Sequence, residues 1–146
     1  LDDYKVMYDD EIKVGMTGEL TKRVTDDDVD SFAKVTGDCN PIHMDNDFAK
    51  QSNYPGRVAH GMLSAGLISA CLGNKMPGPG AVYINQDLNF HKSVFIGDVL
   101  IVTCKVINIK DNGDSKIVTL DTKVTNQDGD IVTDGHAIMK PANRNE

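Results

Sequence analysis

The chain has 146 residues, with 40% hydrophobic and 25% charged residues and no Trp. That composition suits one soluble globular domain with its own core and excludes a disordered or membrane-spanning chain. A net charge of −7 repels nucleic acid and anionic membrane and removes both as default partners.

Three cysteines without CxxC spacing point to a reducing, cytoplasmic setting rather than a disulfide framework. Leu1 rather than Met opens the chain, so a trimmed N-terminus or a longer parent chain is expected. Residues 1–13 are acidic and weakly patterned and are read as a partly ordered lead-in to a single domain over 14–146.

Gly18–Val24 reads as a first strand. Thr25 then caps a helix, with Asp28 at the capping-box position and Asp26, Asp27 and Asp28 at the positive end of its dipole. Val29, Phe32, Ala33 and Thr36 supply one face, and Gly37 the stop. Residues 38–44 (DCNPIHM) are expected to break the helix, because Pro41 disfavours helical geometry at Asn40. A short helix near Asp45–Gln51 follows.

Met62–Leu72 carries no charge on any face, and a helix apolar all round is expected to be buried all round. Beyond Pro77-Gly78-Pro79-Gly80 the chain reads as strand: Ala81–Phe95, Asp98–Ile109, Lys116–Thr125 and Ile131–Lys140. Turns at Asn112-Gly113-Asp114 and Asp128-Gly129 join the last three. The class is α+β, a long antiparallel sheet curling around one buried helix.

Asp38 and His43 stand five residues apart on a Pro-bent loop. A carboxylate and an imidazole that converge can hold a water between them and move protons near neutral pH. Asn40 and Pro41 would fix the loop shape. The same spacing also serves a capped turn with a solvated histidine. His60-Gly61 opens the apolar helix, where first-turn N–H groups lack intrahelical partners. Gly61 could present its amide to a ligand oxygen, or simply allow tight packing there.

Weaker candidates are Cys39 as a nucleophile and His43, Asp45 and Asp47 as metal ligands, without supporting motif. Asp111–Asp114 and Asp128–Asp130 look like fragments of calcium loops, but hairpin turns explain both.

The run FAKVTGDCNPIHMDNDFA, Phe32–Ala49, resembles the signature of the MaoC-like (R)-specific enoyl-CoA hydratases. That signature is an aromatic, a short spacer, an aliphatic and a small residue, then Gly-Asp-x-Asn-Pro-aliphatic-His, with a small residue six positions on. HGMLSAGLIS resembles the start of the family's central helix, and the likeness runs on through GAVYINQDLNFHKSVFIGD, covering Val14 to Pro141.

The resemblance implies a hot-dog fold and a homodimer or higher homo-oligomer with an acyl-pantetheine tunnel near the interface. By position it implies Asp38 and His43 as the catalytic pair, Gly61 as the oxyanion-hole amide, and Asn40 and Ser69 in support. The implied reaction adds water to a trans-2-enoyl-CoA thioester and calls for no metal or other cofactor. The alternatives are a hot-dog acyl-CoA thioesterase, a hydratase of acyl-carrier-protein substrates, and a non-catalytic acyl-CoA-binding module.

Overall fold

The computed structural model describes residues 4–146, so residues 1–3 of the lead-in lie outside the described residues. After β1 (Thr17–Arg23) come four helices: α1 (Asp26–Thr36), α2 (Pro41–Met44), α3 (Asn46–Gln51) and α4 (Gly61–Asn74). Strands β2 (Val82–Gln86), β3 (Asn89–Phe90), β4 (Val99–Asp111), β5 (Lys116–Thr125) and β6 (Ile131–Lys140) complete the chain. The strands form one antiparallel sheet in the order β1-β4-β5-β6-β2, with β3 also on β6. This is the expected α+β hot-dog, with α4 lying in the curve of the sheet.

Period-two alternation builds the core. Leu100, Val102, Cys104 and Val106 of β4 point inward, as do Val118, Leu120 and Val124 of β5. They meet Ile68, Cys71 and Leu72 of α4 in one cluster. Each large side chain buried this way contributes about 1.5–3 kcal/mol. Cys71 and Cys104 are fully buried, and the Cys71 thiol beside it, together with burial, pushes the Cys104 thiol up.

The long strand expected over Ala81–Phe95 is instead divided. Between β2 and β3 the Asp87 carbonyl turns toward β6 and lies 1.9 Å from where a Cβ on Gly135 would be. The His136 amide donates to Asp87 Oδ1 at 3.0 Å. Only a glycine at 135 admits that approach, and the ladder breaks around it.

The expectation that α4 is buried all round is also corrected. Ile68, Cys71 and Leu72 are buried, yet Met62 is 54% exposed and Gly66 and Ser69 are exposed. The sheet covers one side of the helix, and an uncharged helix carries no sequence mark saying which side that is.

The lead-in joins the body before residue 14. Ile12 sits in the core, and the Asp9 amide donates to the Ala142 carbonyl at 2.8 Å. Asp9 Oδ2 accepts from Asn143 Nδ2 at 2.9 Å. The first and last described segments are thus tied together.

Candidate active site

Local hydrogen bonding shapes the loop after α1. Thr25 Oγ1 accepts from the Asp28 amide and the Asp28 carboxylate accepts from the Thr25 amide, the expected reciprocal cap. At the other end Gly37 has φ +80° and turns the chain out of the helix. The Asp38 amide donates to Thr36 Oγ1 at 3.2 Å, and the Asn40 amide to Asp38 Oδ1 at 3.3 Å.

Asn40 Oδ1 accepts from the Ile42 amide at 3.2 Å. It thereby caps α2, in which Pro41 takes the first helical position, where its missing N–H costs nothing. The helix does break before Pro41, where Asn40 is non-helical at ψ 126°, but the break ends there: residues 41–44 form a new helical turn, because the proline restricts the residue before it and starts a helix well.

His43 leaves α2 only 8% exposed. Its Nδ1 lies 2.6 Å from the Val58 carbonyl. A carbonyl only accepts, so Nδ1 carries the proton and Nε2 of the neutral ring holds the free lone pair. Arg57 steadies the same turn: Nε–H donates to the His43 carbonyl at 2.5 Å, and the guanidinium pairs with Asp30 at 2.5 Å and Asp26 at 3.4 Å. None of these long-range partners carries a sequence signal linking it to His43.

Gly61 is the first residue of α4, so its N–H has no intrahelical acceptor and faces outward at the positive end of the dipole. Ser64 Oγ donates to the Gly61 carbonyl at 2.7 Å and lies 2.8 Å from Thr133 Oγ1, pinning this first turn to β6. Ser64, absent from the sequence-derived candidates, is the α4 serine beside Gly61. Ser69 lies about two turns beyond Gly61 on the exposed face of α4 and lines neither cavity over Asp38 and His43.

Ligand-type atoms of Asp38, His43 and His60 lie within 4.8 Å of one another, a separation that one water spans. A cavity of about 440 Å³ opens over them, lined by Phe32, Asp38, His43, His60, Gly61 and Phe90. A second, of about 310 Å³, shares His43, His60, Gly61 and Phe90 and adds Tyr54 and Lys92. Phe90 lines both, its ring 3.2 Å from where a Cβ on Gly61 would be.

The donor set suits proton transfer better than metal binding. His43 Nδ1 and His60 Nε2 are both engaged with carbonyls. The two rings are stacked at 3.9 Å, and the remaining His60 nitrogen, Nδ1, is buried without a hydrogen-bond partner. Asp45 Oδ1 is occupied in capping α3 through the Asp47 and Phe48 amides. Cys39 is exposed and lines neither cavity.

Residues 9–128 match the family model of the MaoC like domain. The chain belongs to the MaoC-like family. It is 42% identical over 142 residues to the (R)-specific enoyl-CoA hydratase of Rhodospirillum rubrum, covering 97% of this chain and 96% of that one. It is 40% identical over 146 residues to the 3-hydroxybutyryl-CoA dehydratase of Methylorubrum extorquens, covering 100% and 91%.

Among solved structures, this MaoC-like chain resembles R-Hydratase PhaJ1 from Pseudomonas aeruginosa. The TM-score is 0.86 at 38% identity, over 92% of this chain and 85% of that one. The MaoC-like match begins at residue 9, within the segment read as lead-in, in keeping with the packing of Asp9 and Ile12.

Proposed function

We propose that this chain is an (R)-specific enoyl-CoA hydratase, a hydro-lyase that adds water reversibly to trans-2-enoyl-CoA to give (R)-3-hydroxyacyl-CoA. The observation that carries this reading is the convergence of the Asp38 carboxylate and the His43 ring on one cavity wall beside the first amide of α4.

With the thioester carbonyl on the Gly61 N–H, C2 and C3 of the enoyl group reach the water held between Asp38 and His43. Attack of that water at C3 moves charge onto the thioester oxygen, where the amide and the helix dipole stabilise it. One member of the pair takes the water proton, and a proton is delivered to C2 from the same side. His43 is suited to exchange through Nε2 because Val58 holds the proton on Nδ1.

CoA is anionic and so is the protein. Lys92, which lines the smaller cavity and is paired with Asp130 at 2.9 Å, is the cation we assign to the CoA entrance. The working form is a homodimer or larger assembly in the cytoplasm. The open face of α4 and the exposed Val82 and Ile84 of edge strand β2 are the surfaces a second copy would cover.

Purified protein is expected to hydrate crotonyl-CoA, followed as loss of the enoyl-thioester absorbance, without releasing free thiol. Asp38→Asn and His43→Gln should each reduce kcat by about 10²–10⁴-fold with unchanged circular dichroism. Thiol release would turn the assignment to a thioesterase, and wild-type rates in either folded variant would remove that residue from the mechanism.

A further inference from the structure

His60 is a buried histidine that the proposed reaction does not use, and its surroundings are unusual for a helix-capping position. It is the N-cap of α4, yet its side chain makes no bond to its own helix. Ser, Thr, Asp or Asn at an N-cap turns inward and takes up a first-turn amide. The His60 ring turns away, with Nε2 lying 2.9 Å from the Asp38 carbonyl. The carbonyl only accepts, so Nε2 carries the proton and donates it.

One face of the ring stacks on His43 with centroids 3.9 Å apart and 30° between planes, and Phe32 packs against it at 4.6 Å. His60 is 3% exposed, and its Nδ1 is buried without a hydrogen-bond partner. A residue selected only to fill this space would be apolar, and one selected only to cap α4 would be short and polar. An imidazole meets a third requirement. It leaves the helix N-terminus uncapped, reaches across to the Asp38 backbone and presents a flat face to His43.

We infer that His60 is a positioning residue: it holds Asp38 and His43 in register with each other and with the free amide of Gly61. This rests on the hydratase reading for its kinetic consequence, though not for its geometry. Three separate groups of the site meet at this one ring. Asp38 is fixed through its carbonyl, His43 through the stack, and Gly61 by being the next residue along the chain.

Two conservative variants separate positioning from simple structure. In His60→Gln the side-chain amide nitrogen lies near the place of Nε2 and can donate to Asp38. In His60→Asn the amide is too short for that reach but is a strong N-cap for α4. On crotonyl-CoA, His60→Gln should keep kcat within about ten-fold of wild type. His60→Asn should lose about a hundredfold in kcat, the scale of a misplacement of about 1 Å, with KM changed less than three-fold and melting temperature unchanged or raised.

Opposite movement of stability and turnover in His60→Asn is the signature of positioning. Wild-type kcat in His60→Asn overturns the inference, as does a fall of melting temperature in step with activity in both variants.

Imidazole ¹⁵N NMR gives a reading that does not depend on turnover. His60 should be the Nε2–H tautomer, and the Cys39 and Asn40 amides beside the Asp38 carbonyl should shift further in His60→Asn than in His60→Gln. The Nδ1–H tautomer, or equal shifts in the two variants, overturns the inference. If the wild type fails to hydrate crotonyl-CoA, the hydratase reading fails while these NMR outcomes still decide the role of His60.

Discussion

Two backbone carbonyls assign the protons at the centre of the site. Val58 fixes the tautomer of His43 and Asp38 that of His60, leaving a free lone pair on His43 Nε2 and a buried one on His60 Nδ1. Against this pair stands a donor that is part of the backbone, and a backbone donor can be removed at only one kind of position. Gly61 occupies the first helical residue, where proline is tolerated. His60 before it has ψ 136°, the extended rather than helical value that a following proline favours.

Gly61→Pro is therefore expected to fold, with the half-exposed Phe90 ring giving way to the added ring. It should lose about 10²–10³-fold in kcat, as removal of an oxyanion donor does. Circular dichroism and crotonyl-CoA kinetics on the same sample check this. A folded Gly61→Pro variant with wild-type turnover would take the Gly61 amide out of the mechanism.

At the level of elements, α1 delivers Asp38 to the site, and both of its ends are fixed by local chemistry. Burial opposes ionisation of Asp28, but the Thr25 amide, the Lys22 ammonium and the Thr25 hydroxyl outweigh it and hold its carboxyl below the ordinary value of 3.8. A carboxyl lowered in the folded state contributes its stabilisation fully above that ordinary value, and the contribution is lost as pH falls through the lower folded one.

Asp28→Asn is thus expected to flatten stability against pH below about 4 while leaving the profile above pH 5 parallel to wild type. Thr25→Ala should cost about 1 kcal/mol at neutral pH through the lost cap. Urea melts across pH check both, and an unchanged acid limb in Asp28→Asn would show that the capping box carries none of the acid sensitivity.

The whole molecule is a half-covered object. One side of α4 lies in the sheet, and the other presents Met62, Gly66 and Ser69 to solvent, with Met62 on the wall of the larger cavity. On the sheet, β2 offers an unpaired edge with Val82 and Ile84 outward. A second copy covering these surfaces would bring Ser69 into an enclosed interface and narrow the open cavity.

Sedimentation equilibrium is expected to give twice the 15.9 kDa chain mass or a higher multiple. Ile84→Glu, a charge placed on the open edge, should shift the population toward monomer and lower activity with it. A fully active monomer would contradict the assembly proposal.

Neighbouring residues in the chain determined a large part of this protein. The caps of α1, the alternation of β4, β5 and β6, and the loop carrying Asp38, Asn40 and His43 depend on contacts a few residues apart, and such contacts leave a period or a motif in the sequence. The family resemblance added the Gly61 amide to the same site.

Only the tertiary structure decided the rest. Val58 on His43, His60 under Asp38, Arg57 on the α2 turn and Ser64 against Thr133 are meetings of distant segments. The exposed stripe of α4 and the division of β2 from β3 at Gly135 are set by how the sheet curves and what backbone passes over it. A hydrogen bond between remote segments has no spacing to read, and a helix without a polar face does not announce which side will be covered. Those choices are made when the elements pack.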